Sequence, residues 1–69
     1  MKKLCYKKLF KKLIDLEMSN SELIKQTDIS KSTFYKLKNG DNINTDTIIK
    51  ICEFLDCDIS EIVECVEGV

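Results

Sequence analysis

The sequence has no histidine, no proline and only two glycines, at positions 40 and 68. Without histidine, an acyl-transfer triad of the usual kind is excluded. There is also no glycine-rich loop of the type that cradles phosphate groups. We therefore expect neither an enzyme nor a bound cofactor. Because proline is absent while 43% of the residues are hydrophobic and 33% are charged, the composition is typical of a compact, helix-rich domain.

Long hydrophobic runs are missing as well. No apolar segment approaches the roughly 20 residues that a membrane span requires, and the basic start MKKLCYKKLF breaks off before the apolar core of a signal peptide. We expect a soluble, cytoplasmic protein with no membrane contact and no small-molecule ligand. The 69 residues allow one domain, 1–69. Because so short a chain has a thin margin of stability, a partner subunit is expected to help.

The four cysteines do not form a C-x-x-C pair. Their irregular spacing, without any histidine, argues against a metal site, and without an export signal we expect no disulfide. Cys52 occupies an apolar helical position, where a free cysteine behaves as a small hydrophobic residue. Redox sensing through Cys57 or Cys65 stays open as an alternative.

The net charge of −1 hides an asymmetry along the chain. Residues 1–40 carry ten lysines and four acidic residues, a balance of +6, whereas residues 41–69 carry one lysine and eight acidic residues, a balance of −7. Such a split predicts a positive face built mainly from the first half, which suits a polyanionic partner. The plainer interpretation is that common solvated residues cluster by chance.

The first predicted helix covers about 5–17. Its apolar residues recur at helical spacing and form one face, made of Tyr6, Leu9, Phe10, Leu13 and Ile14. Lysines 7, 8, 11 and 12 lie on the other side. These lysines either contact a polyanion or only keep the helix soluble, and the sequence does not choose between the two.

Two short helices come next, each opened by a serine. Ser19 and Glu22 have the spacing of a capping box, which predicts a helix over 20–26. Asp28 sits in a tight connection, and Ser30 then caps a helix over 31–38 that stops at Asn39-Gly40. The inward residues of this pair are predicted to be Leu23, Ile24, Phe34 and Leu37.

Two further helices are predicted after the loop. Asn44 can cap a helix over 45–56, and the Asp58/Glu61 spacing predicts a last short helix over 59–66. We predict no strand of convincing length, although the segment MKKLC could extend along a neighbour. The inward residues are predicted to be Ile48, Ile51, Cys52, Leu55, Ile59, Ile62 and Val63.

An all-α layout of five helices, with the second and third joined by a tight turn, is typical of a helix-turn-helix DNA reader. Phe34 and Leu37 would anchor the third helix, which leaves an outward face of Lys31, Ser32, Tyr35 and Lys36. Lysine can donate to guanine O6 and N7, and serine can serve several base edges. Tyr35 could touch a thymine methyl group or a phosphate.

Two stretches, MSNSELIKQTDISKSTFYKLKNG and NTDTIIKICEFLDCDISEIVE, carry a more specific resemblance. Residues 6–64 resemble the lambda repressor-like, Cro/repressor-type helix-turn-helix domain, the XRE family, whose small regulators are often bacterial. Relative to that family, Asp28 replaces a usual glycine and Ile24 a usual alanine, so Ile24 asks for extra room between helices two and three. The resemblance implies a DNA-contacting set of Asn20, Ser30, Lys31, Ser32, Thr33, Tyr35, Lys36, Lys38 and Asn39.

Within that set, the resemblance implies different roles. Lys31, Ser32 and Lys36 match base-facing positions, while Asn20 and Asn39 match phosphate-contacting positions. The expected function is that of a DNA-binding transcriptional regulator, most simply a repressor, reading the major groove with the helix over 31–38.

About three or four base-reading side chains per domain carry too little information for a unique operator, so a homodimer on a palindrome is expected. The candidate apolar patch for this dimer comprises Ile43, Ile49, Phe54, Val66 and Val69. Two rival functions remain open. One is a protein-interaction module of the antitoxin or anti-repressor type, and the other is a thiol or metal sensor.

Overall fold

A computed structural model describes residues 1–68 of the chain. Four α-helices form most of it, and a short two-stranded sheet joins the two ends of the described chain. The elements in chain order are β1 (Lys2–Cys5), α1 (Lys7–Asp15), α2 (Asn20–Thr27), α3 (Lys31–Asn39), α4 (Thr45–Leu55), a 3₁₀ turn (Ile59–Glu61) and β2 (Glu64–Glu67).

The prediction of a fifth helix over 59–66 is wrong: the fold is mostly helical, but it has four α-helices and a short two-stranded sheet. Asp58 does begin a turn, since its carboxylate accepts from the Ser60 backbone and Glu61 accepts from the Asp58 N–H at 2.8 Å. That turn is a single 3₁₀ turn, and the chain then extends as β2. β2 pairs antiparallel with β1, in a register that sets Lys3 opposite Val66. The MKKLC segment is thus extended, and β1 takes up residues 2–5.

The hydrophobic core lies where the four helices and the 3₁₀ turn meet. Two predicted core residues are exposed instead: Ile14 keeps 75% of its surface and Ile59 keeps 48%. Ile14 is rotated about 100° from the buried Leu13 around α1, which turns it past the covered face. The buried hydrophobic residues are Tyr6, Leu9, Leu13, Leu23, Phe34, Leu37, Ile48, Ile51 and Ile62.

Local hydrogen bonds explain the short second helix and the turn after it. Ser19 Oγ accepts from the Glu22 N–H at 3.1 Å, as the capping box predicts. At the other end, the buried Thr27 hydroxyl donates to the Leu23 carbonyl at 2.6 Å. Asp28 adopts the left-handed conformation (φ 56°) that ends α2. The unusual Ile24 is accommodated half-buried at the edge of the core rather than inside it.

The end of α3 is closed by Gly40, whose φ of +74° favours glycine. The N–H groups of Gly40 and Asp41 donate to the Leu37 and Lys36 carbonyls, at 3.3 and 2.9 Å. A Cβ at position 40 would lie 2.8 Å from the Leu4 carbonyl oxygen. The strand β1 therefore packs directly against the last turn of α3.

Ion pairs connect the basic first half to the acidic second half. Lys8 lies 3.8 Å from Glu64, Lys12 lies 3.6 Å from Glu61, and Lys2 lies 3.5 Å from Glu67. These pairs lie at the surface, with only the Lys12 side chain half-buried, so each contributes little to stability, about 0–1 kcal/mol. Their main consequence is electrostatic, because they neutralise part of the lysine face of α1. Across residues 1–68, no helix is long and apolar enough to cross a membrane.

Candidate nucleic-acid interface

Two buried side chains, one aromatic and one aliphatic, hold α3 against the core. Leu37 is fully buried and Phe34 nearly so. The Phe34 ring meets the Phe10 ring of α1 edge-on, with centroids 5.8 Å apart and an interplanar angle of 88°. Such edge-to-face contacts have a preferred geometry. The rotation of α3 about its axis is therefore set by packing, and so is the identity of its outward residues.

The outward face of α3 carries the side chains that the sequence predicts there. Lys31, Ser32, Tyr35 and Lys36 are all exposed, and Tyr35 keeps 61% of its surface. The Tyr35 ring also lies edge-on to the Phe34 ring, with centroids 6.4 Å apart, so this contact restrains an otherwise exposed side chain. This face offers two ammonium groups and two hydroxyls on one side of a nine-residue helix.

The first turn of α3 is organised by a cluster of hydroxyl groups. Ser30 Oγ accepts from the Thr33 N–H at 3.1 Å, and the same oxygen lies 3.0 Å from the Ser32 hydroxyl and 2.9 Å from the Thr33 hydroxyl. Ser30 is thus first of all the helix cap. Thr33 is half-buried, whereas Ser32 remains exposed beside the outward lysine Lys31.

A groove of about 280 Å³ between α2 and α3 gathers part of the predicted site. Asn20, at the start of α2, shares it with Lys31, Tyr35 and Lys38, above a floor formed by Phe34. The Lys38 ammonium lies 5.8 Å from the centroid of the Phe34 ring, a cation–π contact. The exposed amide and the two ammonium groups along this groove are suited to binding an anion such as phosphate.

Ser21 also lines this groove, and the sequence reasoning did not single it out. A signal was available, because Ser21 comes directly after Asn20 in the first turn of α2, where backbone N–H groups lack helical partners. The remaining predicted residues lie elsewhere. Ser32 and Lys36 do not line this groove, and Asn39 borders a different groove at the other end of α3.

The comparisons with known proteins agree with this geometry. A family model described as the Cro/C1-type HTH DNA-binding domain matches residues 8–68. The chain belongs to the Cro/C1-type helix-turn-helix family. It is also similar to the transcriptional regulator VanUg, known from a crystal structure, with 39% identity and a TM-score of 0.94 over 97% of this chain and 89% of that one. Among curated proteins, none matches the chain.

The lysines of this Cro/C1-type domain differ in whether they form ion pairs. Within residues 1–68, the ammonium groups of Lys31, Lys36 and Lys38 form no ion pair, in contrast to those of Lys8 and Lys12 on α1. Two of the four α1 lysines thus face acidic partners of the same chain. All three lysines of α3 therefore remain available to a polyanion, whereas only two of the four α1 lysines do.

The apolar patch that we predicted for a homodimer is not one surface. Ile49 is exposed beside Ile59, Phe54 borders a groove with Gln26 and Thr27, and Val66 lies next to β1. Ile43 is half-buried against the core, and Val69 lies outside the described residues. The Cro/C1-type fold thus spreads these residues over several faces.

Two cysteines of the Cro/C1-type domain share one acidic groove. Burial raises the pKa values of the Cys52 and Cys57 thiols, and the nearby carboxylates of Asp58 and Glu61 raise them further. Raised pKa values keep these thiols protonated and poorly reactive near neutral pH. In the part of the chain that the structure describes, no three potential metal ligands come together.

Proposed function

We propose that this protein is a sequence-specific transcriptional regulator that inserts α3 into the major groove of duplex DNA. One observation carries the proposal. Packing of Phe34 and Leu37 turns Lys31, Ser32 and Lys36 outward from a short, capped helix. An α-helix fits the major groove, and lysine and serine can donate to base edges there. The similar protein VanUg is a transcriptional regulator by its description, which supports the same role here.

Repression is the simplest outcome of such binding, because occupancy of an operator is by itself enough to block access to a promoter. We further propose that two copies bind a palindrome as a homodimer. A few base-reading side chains per copy specify a short half-site, and a second copy about 34 Å away along the DNA doubles the information.

Selection of bound sequences from a random duplex pool, at low and at moderate salt, tests the proposal. We expect a palindrome and steep salt dependence. Lys31→Ala with Lys36→Ala should then weaken binding to the selected site by about 1–3 kcal/mol per lost base contact. Lys50→Ala is the matched control, since Lys50 is an exposed lysine on α4 and should leave affinity almost unchanged. Undiminished binding by the α3 double variant would overturn the assignment of α3.

A protein-interaction module is the second candidate, and one groove favours it. Ile48, Ile49 and Ile59 border a groove of about 720 Å³ that also carries four acidic residues, Glu53, Asp56, Asp58 and Glu61. Its charge suits a basic, amphipathic segment of another protein, and it disfavours self-association face to face. Recovery of one stoichiometric basic partner, together with no retention on DNA at low salt, would favour this candidate over the regulator.

A further inference from the structure

A second basic groove lies beside α3, at the end opposite to Asn20. It has a volume of about 280 Å³ and is formed where β1, the start of α1 and the end of α3 meet. Lys3, Lys7 and Lys38 line it, together with Asn39 and Gly40. Because the Leu4 carbonyl packs against Gly40, the position of β1 relative to the end of α3 is held by backbone contact.

The lysines of this groove differ from their sequence neighbours. Lys2 pairs with Glu67 and Lys8 pairs with Glu64, whereas Lys3 and Lys7 form no ion pair among residues 1–68. The alternation of a strand explains the first contrast, because Lys2 and Lys3 point to opposite faces of β1. Lys3 stands opposite Val66, which has no charge to offer it.

Little negative charge borders this groove. Glu67 is the one carboxylate that borders it in the described chain, and Glu67 is engaged by Lys2 at 3.5 Å and by the terminal ammonium at 3.6 Å. Cys5 also borders the groove and is a half-buried free cysteine. Three exposed ammonium groups and the Asn39 amide thus surround a space that keeps a net positive charge.

We propose that this groove binds the DNA backbone, and that Lys3 and Lys7 contact phosphates flanking the bases that α3 reads. The inference rests on the proposed function and extends it to two residues outside the helix-turn-helix. Lys38 and Asn39 lie at the end of α3, so a strand of DNA passing that end meets β1 next. These contacts add affinity through counterion release and carry no sequence information.

The test compares two matched double variants in the full chain. Lys3→Gln/Lys7→Gln removes the unpaired lysines, and Lys8→Gln/Lys12→Gln removes the same charge from two ion-paired lysines outside the groove. We expect the plot of log affinity against log salt to become shallower by about 1 for each lost phosphate contact in the first variant only. Discrimination between the selected operator and a scrambled duplex should stay as in the original protein. Equal slopes for both variants would overturn the proposal.

A second measurement begins with the original protein, so its first result does not depend on the folding of a variant. Single uncharged methylphosphonate linkages are placed in turn along the operator and bound to the original protein. A flanking linkage should weaken binding severalfold, and Lys3→Gln/Lys7→Gln should be insensitive to that same linkage. If no flanking linkage weakens binding, the groove does not contact DNA.

If the proposed function is wrong, the results differ from those expected if only the groove assignment is wrong. In the first case no operator is selected, and Lys31→Ala/Lys36→Ala leaves DNA affinity unchanged. Phosphate contact by the groove is still tested by the slope of log affinity against log salt on a random duplex. A reduced slope for Lys3→Gln/Lys7→Gln there would retain the phosphate contact without sequence reading. An unchanged slope would reject it.

Discussion

Tyr6 shows what a single buried hydroxyl does in a small core. The residue is 2% exposed, and within residues 1–68 its hydroxyl has no hydrogen-bond partner. An unsatisfied buried hydroxyl costs about 1–3 kcal/mol, so Tyr6→Phe should raise the free energy of unfolding by about 1 kcal/mol. Urea unfolding near neutral pH measures this. Tyr35→Phe is the control, because loss of the Tyr35 hydroxyl from an exposed side chain should leave stability unchanged. A less stable Tyr6→Phe variant would mean that the Tyr6 hydroxyl is hydrogen-bonded.

Gly40 is the residue at which backbone conformation is most restrictive. Its φ is +74°, and an added Cβ would lie 2.8 Å from the Leu4 carbonyl oxygen. Gly40→Ala should therefore lower the free energy of unfolding by about 1–3 kcal/mol. Thermal unfolding measures the loss. No loss in Gly40→Ala would show that β1 can move away from α3.

Asp28→Gly is the opposite case, because Asp28 already has φ 56° and glycine tolerates that region better. The free energy of unfolding of this variant should rise by up to about 1 kcal/mol.

At the level of elements, two serines at the start of α3 have different roles: Ser30 caps the helix, and Ser32 is exposed on its first turn. Ser30→Ala removes the hydroxyl that accepts from the Thr33 N–H at 3.1 Å and should lower the free energy of unfolding by about 1 kcal/mol. Ser32→Ala should change stability little but weaken operator binding. Parallel unfolding and DNA-binding titrations compare the two. If Ser32→Ala proves the more destabilising of the pair, the cap has been misassigned.

At the two ends of the described chain, the sequence did not predict the strands β1 and β2. The Asp58/Glu61 capping box predicts the start of the turn correctly. The segment after that turn, from Val63 to Glu67, contains residues that fit either a helix or a strand, and local patterns cannot choose between them. The choice is made by pairing with β1, about 60 residues earlier in the chain. The same pairing aligns Lys2 with Glu67.

At the scale of the whole molecule, the buried Tyr6 hydroxyl and the half-buried Cys52 and Cys57 thiols make stability depend on pH in the alkaline range. Burial raises the pKa of Cys52 and Cys57 above their ordinary 9.0 and that of Tyr6 above 10.0. The unfolded chain therefore loses these protons first. Their contribution to stability is complete below pH 9.0 and is lost as pH rises towards the higher pKa values of the folded state.

Urea unfolding at about pH 7 and about pH 9.5 measures this dependence. Cys52→Val/Cys57→Val should lose less stability between the two pH values than the original protein does. Cys65→Ser is the control, because Cys65 is exposed and should leave the loss unchanged. An equal loss in all three proteins would show that the thiols of the groove are not the titrating groups.

The sequence by itself determined the four α-helices, the serine and asparagine caps of α2, α3 and α4, most of the core, and the outward face of α3. These features arise from patterns within about one helical turn, such as the spacing of Phe34 and Leu37 or the pairing of Ser30 with the Thr33 N–H. They therefore need no knowledge of distant residues.

Only the tertiary structure decided which lysines remain unpaired. Lys8 and Lys12 meet Glu64 and Glu61, while Lys3 and Lys7 come to lie beside the end of α3. The sheet, the exposure of Ile59 and the dispersal of the predicted dimer patch depend on the same distant contacts. The physical reason is that charge pairing and strand pairing act between residues far apart in the chain, and folding alone brings them together.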